Sequence, residues 1–204
     1  MKKLLFFLCL TLVTQVPLRS QTFDKGTSVV TVGYGVPNLI TLTFRAIYKI
    51  SDHTNYSFSA MGPILLRYEY GITKNIGIGL AGGYTTASVA YTFKDWNVTK
   101  TEKIDYTAKI TWKSPSVGPR LNIHFGTNDK VDPYFGVGAG WSGQTFTYTD
   151  SSPWEDSYPK LGTSSFYFNL GIGFRYYFTE NIGLYAEAGW DKAALFQLGL
   201  AGRF

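Results

Sequence analysis

The 204-residue chain has one cysteine, Cys9, and two histidines, His53 and His124. His53 follows Asp52 and lies among serines, the residue types of a Ser/His/Asp hydrolase. Adjacent side chains on an extended chain point apart, so Asp52 is badly placed to orient His53. Two histidines and scattered carboxylates also lack the ligand spacing of a zinc site. The segment GIGLAG at 77–82 satisfies the dinucleotide pattern G-x-G-x-x-G. That fingerprint needs a strand before it and a helix after it, whereas here a turn precedes and an alternating stretch follows. No catalytic residue, cofactor-binding residue or metal ligand is expected, and the chain is read as a non-enzyme.

The informative polar residues instead recur at every second position of apolar stretches. Phe166, Phe168, Leu170, Ile172, Phe174, Tyr176 and Phe178 alternate with a set that includes Asn169 and Arg175. A period of two over that length is a β-strand with one apolar and one polar face. The same parity collects Arg67 and Glu69, then Arg120, Asn122 and His124, and finally Glu187 and Asp191. With Asn169 and Arg175 these form the expected interior network, three arginines against three carboxylates. Counted from the short turns, Arg67, Glu69, Arg120 and Glu187 fall at similar depth. A charge in a confined interior needs a partner, because an unpaired one is costly. A structural plug fits the balanced set better than a polar constriction selecting a permeant solute.

Eight strands are predicted, near 27–36, 63–73, 76–88, 113–126, 132–146, 164–178, 182–191 and 194–204. Short turns join consecutive strands at 73–75, 126–132 and 179–181, and two of them open nearly identical hairpins, GITKNIGIGLAGGY and YFTENIGLYAEAGW. Asn and Gly there are expected to supply the left-handed backbone of tight hairpins. The other connections, 37–62, 89–112 and 147–163, are long and hold many of the charges; 191–193 is very short. Within the first, 38–49 fits a short helix or another extended piece.

Residues 1–20 carry Lys2, Lys3 and Arg19, no acidic residue and an apolar run from Leu4 to Val13. This pattern predicts a secretory signal peptide, removed after Ser20, leaving residues 21–204 as one domain. Its loss takes Cys9 with it and lowers the formal charge from +5 to +2. Disulfide-stapled, thiol-dependent and nucleic-acid-binding classes lose their support. No later segment has the ~18 consecutive apolar residues of a membrane helix. The 22 Gly, 15 Tyr, 15 Phe and 5 Trp are not the composition of a disordered chain.

A soluble β domain would place many Lys, Glu and Asp on its wet face. Here the polar face is mostly Gly, Ser, Asn and Tyr, while the apolar face is broad and aromatic. That inversion, with short turns on one side and long loops on the other, predicts an all-β fold: an eight-stranded antiparallel transmembrane β-barrel. Eight strands of about 9–11 residues use about 80 residues and leave enough chain for the loops. Small inward glycines would make room in a narrow interior for large side chains opposite. Outward aromatics fall into two expected girdles. Tyr70, Phe125, Phe135, Tyr176 and Phe178 lie near the short turns; Tyr34, Tyr84, Trp141, Phe166 and Trp190 lie towards the loops.

The chain closes on LFQLGLAGRF, with Phe196, Leu198, Leu200 and Phe204 on one parity and Gly202 among them. This resembles the C-terminal assembly signal of bacterial outer-membrane proteins, although Gly202 departs from the usual bulky residue. With the repeated short turns, residues 22–204 resemble the small eight-stranded outer-membrane barrels of the OmpA-transmembrane, OmpW and OmpX type. The resemblance implies a two-membrane bacterium, periplasmic termini and no attached peptidoglycan-binding domain. It implies as partners outer-membrane lipid and lipopolysaccharide, the barrel assembly machinery and periplasmic chaperones, with a monomer as the expected state. Its functional implications are surface-directed loops above a mostly closed lumen, a narrow channel for small or amphipathic solutes, or a lipid-modifying enzyme. The first is preferred.

Overall fold

A computed structural model describes residues 22–39, 42–43, 45–46, 56–96, 99, 101–126, 128–152 and 160–204. Eight strands run in order: β1 Ser28–Val36, β2 Tyr56–Gly71, β3 Ile76–Trp96, β4 Lys103–His124, β5 Val131–Asp150, β6 Leu161–Tyr177, β7 Ile182–Asp191 and β8 Ala194–Arg203. Each pairs antiparallel with its neighbours, and β1 pairs with β8 through Val29↔Arg203 to Val36↔Phe196, so the sheet closes into a barrel. Closure leaves no unpaired sheet edge around the waist, which a strand-built wall in lipid requires.

The period of two separates the faces. In β6, Tyr167, Asn169, Gly171, Gly173, Arg175 and Tyr177 are buried, whereas Phe166, Phe168, Leu170, Ile172, Phe174 and Tyr176 are exposed on the outer face. The large apolar side chains therefore point away from the barrel, and its centre is polar. Such a sequence is stable only where the outside is as apolar as those side chains.

Inward glycines stand where a side chain would collide with a large neighbour. A Cβ at Gly136 would strike the Arg120 guanidinium, one at Gly77 the Glu69 carboxylate, and one at Gly173 the Tyr134 ring. The 77–82 segment lies wholly within β3, with no helix after it, which removes the dinucleotide fingerprint.

Two expectations about the connections change, and a third is settled as helix. The stretch 89–112, expected as a long loop, is mostly ladder: β3 and β4 pair continuously out to Trp96↔Lys103. Thr, Tyr and Ile favour strands in water as in lipid, so the charges there mark where the hairpin leaves the apolar layer, not where it ends. In the first connection, 56–62 belongs to β2. Leu39, Leu42, Thr43, Arg45 and Ala46 are helical, with the Leu42 amide donating to the Asn38 carbonyl.

The short turns differ in mechanism. Among the described residues the non-glycine positions with positive φ are Lys192 and Ala193, not the turn asparagines. Instead Thr73 Oγ1 accepts from the Asn75 and Ile76 amides, and Thr179 Oγ1 from those of Asn181 and Ile182. Asn75 and Asn181 then donate to the His124 and Arg203 carbonyls of the neighbouring strands. The repeated T-x-N is thus a side-chain-capped turn tied sideways to the wall.

Gly136→Leu is expected to destabilise the barrel by about 1–3 kcal/mol, the usual range for overpacking a filled interior. The urea midpoint of the lipid-refolded protein, followed by heat-modifiable gel migration, reads this. An unchanged midpoint would show that the lumen has spare room.

Candidate functional site

Strand alternation brings all nine residues of the expected network inside. Arg67, Glu69, Arg120, Asn122, His124, Asn169, Arg175, Glu187 and Asp191 are each buried. They form two linked layers.

The upper layer centres on Glu187 of β7. Its Oε2 lies 2.9 Å from Arg67 Nη1 and 2.9 Å from Arg120 Nη2, and accepts the Tyr134 hydroxyl at 2.8 Å. Arg67 also donates to Asp191 at 2.7 Å and to Gln197. Arg120 spends its other donors on Asn169 at 2.6 Å and Asn122 at 2.9 Å. Asp191 further accepts the Tyr167 hydroxyl at 2.7 Å. Six strands thus meet across the lumen: β2, β4, β5, β6, β7 and β8.

The lower layer holds Arg175, Glu69, His124 and Asp132. Arg175 bridges Glu69 and Asp132, the latter at 3.0 Å. His124 lies between the same two carboxylates, with Nε2 2.6 Å from Glu69 and Nδ1 2.7 Å from Asp132. Ionised carboxylates accept only, so both ring nitrogens donate and the ring is an imidazolium. Arg175 also sits 4.5 Å from the centre of the Tyr134 ring, joining the two layers.

Beneath His124 the N-terminal segment packs against the turn-side end of the barrel. Phe23 stacks on the His124 ring at 3.6 Å and 7°. Thr22 Oγ1 donates its one hydroxyl hydrogen between the Val131 and Asn128 carbonyls, and Arg203 Nη1 donates 2.6 Å to the Thr22 carbonyl.

Two expectations about the network need correction. The interior charges are not three against three: Asp132 is a fourth carboxylate, and His124 balances it. Asp132 sits on the inward parity of β5, the signal that marks it, at the boundary between the predicted 126–132 turn and the strand. Glu69 does not share the depth of Arg67, Arg120 and Glu187. Two strand residues span about 6.6 Å, which drops it one layer below Arg67. Tyr134, Tyr167 and Gln197 were missed although their parity points inward; the Phe23 lid leaves no periodic signal.

The remaining predicted positions lie on the outer face. Phe196, Leu198, Leu200 and Phe204 are exposed along one side of β8 and its end. Tyr34, Tyr70, Phe125, Trp141, Phe166, Tyr176, Phe178 and Trp190 are exposed, and Tyr84 and Phe135 half-buried. His53 and Asp52 lie outside the described residues.

Chemically, the interior charges are paired, while Glu187 Oε1, Gln197 Nε2 and the Tyr177 and Tyr185 hydroxyls are buried without a hydrogen-bond partner among the described residues. Every carboxylate in the two layers accepts from an arginine, and both His124 nitrogens are engaged, so neither acts as a free base. Among the described residues no cluster of His, Cys, Asp and Glu fits a metal ion.

From residue 5 to 203 the chain matches the family described as outer membrane protein beta-barrel domain. Solved structures of similar fold include Ail, the attachment invasion locus protein of Yersinia pestis, at 16% identity and TM-score 0.41, covering 88% of this chain and 99% of that one. The N-terminal β-barrel domain of Pseudomonas aeruginosa OprF follows at 18% identity and TM-score 0.42, covering 89% and 99%. OprG from the same organism shows 12% identity and TM-score 0.44, covering 91% and 99%. No curated protein matches the chain.

Removing one partner from such a network leaves its others uncompensated. Glu187→Gln is expected to cost about 3–5 kcal/mol. Adding Arg120→Gln should restore part of it, a coupling of about 0.5–3 kcal/mol in a double-mutant cycle by urea unfolding. Additive losses would show that the two side chains do not interact.

Proposed function

Because the chain belongs to the outer membrane protein beta-barrel domain family, we propose that it is a non-enzymatic outer-membrane barrel with a closed lumen that presents its loops for interaction with the cell's surroundings. The observation that carries this is the Arg67–Glu187–Arg120 junction, in which donors from three strands converge on one carboxylate oxygen. An ion entering the lumen must break at least one of these pairs, each buried and therefore costly to leave half-made. The Phe23–His124 stack adds a second barrier at the turn side.

Residues 1–20 serve as a removable export signal and residues 21–204 as the mature barrel. Phe196, Leu198, Leu200 and Phe204 present the alternating apolar edge that the assembly machinery reads, after escort by periplasmic chaperones. The aromatic bands settle at the two lipid interfaces, with lipopolysaccharide around the outer one, and the barrel works as a monomer. Beyond the membrane, the β3–β4 hairpin and the outer ends of β5 and β6 stand as a tall, polar wall. Its exposed residues include Lys94, Lys103, Lys109 and Lys113, giving cationic groups to a partner outside the cell.

A narrow channel for small or amphipathic solutes is the competing assignment, and it differs in one measurable respect. In planar bilayers the purified protein is expected to give no stepwise openings. Discrete conductance steps whose size changes in Glu187→Gln would overturn the closed lumen and assign the network as a filter.

A further inference from the structure

One buried cation takes no part in the network. Lys192 sits in the β7–β8 turn with φ 49°, followed by Ala193 at φ 63°, a left-handed pair that L side chains adopt rarely. With this backbone Lys192 lies inside the mouth, 9% exposed. Its Nζ donates to Ser114 Oγ at 2.7 Å and Ser142 Oγ at 3.0 Å, and those hydroxyls lie 3.1 Å apart. Among the described residues no carboxylate lies within ion-pair distance of Nζ. Asp191, next in sequence, is occupied by Arg67 and Tyr167.

The two layers below are neutral without Lys192, since three arginines and the His124 imidazolium match four carboxylates. An ammonium has three donors, and two neutral hydroxyls use two of them without offsetting the charge. The turn stands outside the strands, because β7 and β8 are each 10 residues long, about one membrane span. Burial pushes the Lys192 pKa down to about 8, opposed by the Asp191 charge. This is the state of a desolvated cation lacking an anion.

The space beside it has an unusual shape. A cavity of about 220 Å3 joins Lys192, Ser114 and Ser142 to the outward-facing Phe166, Phe168 and Trp190. Its lining takes residues from both faces of β6, at the step where β7 pairs with β6 only as far as Asn169↔Asp191 while β6 continues outward to Leu161. Phe168 and Trp190 stack at 6.1 Å and 15°, forming a flat apolar strip on the lipid side. The volume is below the ~300–1,000 Å3 of a drug-sized pocket; it suits a small head group whose tail continues along the outer surface.

We propose that this cavity binds the anionic head of a single-chain amphiphile, a carboxylate or phosphate monoester held by Lys192, Ser114 and Ser142, with its acyl chain lying over Phe166, Phe168 and Trp190. Charge-assisted hydrogen bonds from the ammonium and both hydroxyls would complete the unbalanced cluster. The site stands apart from the lumen network, so it does not depend on whether the barrel conducts.

Trp112 and Trp190 on the cavity wall supply the readout. In phosphatidylcholine nanodiscs, 11-bromoundecanoate is expected to quench tryptophan emission saturably. Lys192→Gln should weaken that binding about tenfold or more, while Lys192→Arg should retain most of it. Heat-modifiable migration establishes that both variants are folded. Displacement by dodecanoate or by dodecyl phosphate, whichever acts at lower concentration, identifies the head group. Half-saturation unchanged in folded Lys192→Gln, or equal saturable quenching by neutral 11-bromoundecanol, would overturn the site. Displacement by inorganic phosphate as effective as by dodecyl phosphate would overturn the acyl-chain half of it.

Discussion

Glu187 accepts from Arg67, Arg120 and Tyr134, side chains carried by β2, β4 and β5, while it stands on β7. A charged group in a confined interior is tolerated only when neutralised there, and this one is neutralised by strands far apart in sequence. The barrel therefore has to close in a single register for the charges to meet. A slip of one residue in β2, β4 or β6 would turn that strand's arginine towards lipid and its outward apolar side chains towards the lumen. The interior network and the apolar exterior are two faces of one alternation.

The same requirement accounts for the glycines and the uneven wall. Guanidiniums and tyrosines large enough to reach across leave no space opposite, so Gly77, Gly136 and Gly173 stand at the points of closest approach. The short strands β1, β7 and β8 have 9, 10 and 10 residues, whereas β3, β4 and β5 have 21, 22 and 20. A wall tall on one side and low on the other exposes the outer half of β6, and the Lys192 cavity opens at that step. At the lower end Phe23 stacks on His124, and Arg203 donates to the Thr22 carbonyl, tying the N-terminal segment to the end of β8.

Strand number, facing and the nine network residues were legible in the sequence because they follow from a period of two. Phe166 to Phe178 alone fixes which side of β6 carries Asn169 and Arg175. Asp132 and Gln197 obeyed the same rule and were still missed, one hidden at a turn boundary and the other inside the apolar closing strand. Strand ends were illegible for a different reason. Charges such as Lys94, Asp95 and Asp105 show where lipid stops, but hydrogen-bonded pairing carries on through water. Depth was misjudged for Glu69 because counting from a turn cannot separate successive layers. The Thr-capped turns, the Phe23 lid and the Lys192 cluster depend on backbone conformation and on contacts between distant segments, to which periodicity is blind.

The central claim is that the paired charges close the lumen to anything entering from the loop side. Val29 faces inward beside Glu69 and Arg203, below the upper layer, and is buried. Cys9 is the one cysteine of the sequence, so Val29→Cys in a Cys9→Ala background supplies a single thiol. A membrane-impermeant cationic methanethiosulfonate, supplied only to the loop face of the reconstituted barrel, tests the closure directly. The account predicts no modification of the folded protein and complete modification after unfolding. Labelling of the folded barrel at the rate of an exposed thiol would contradict it.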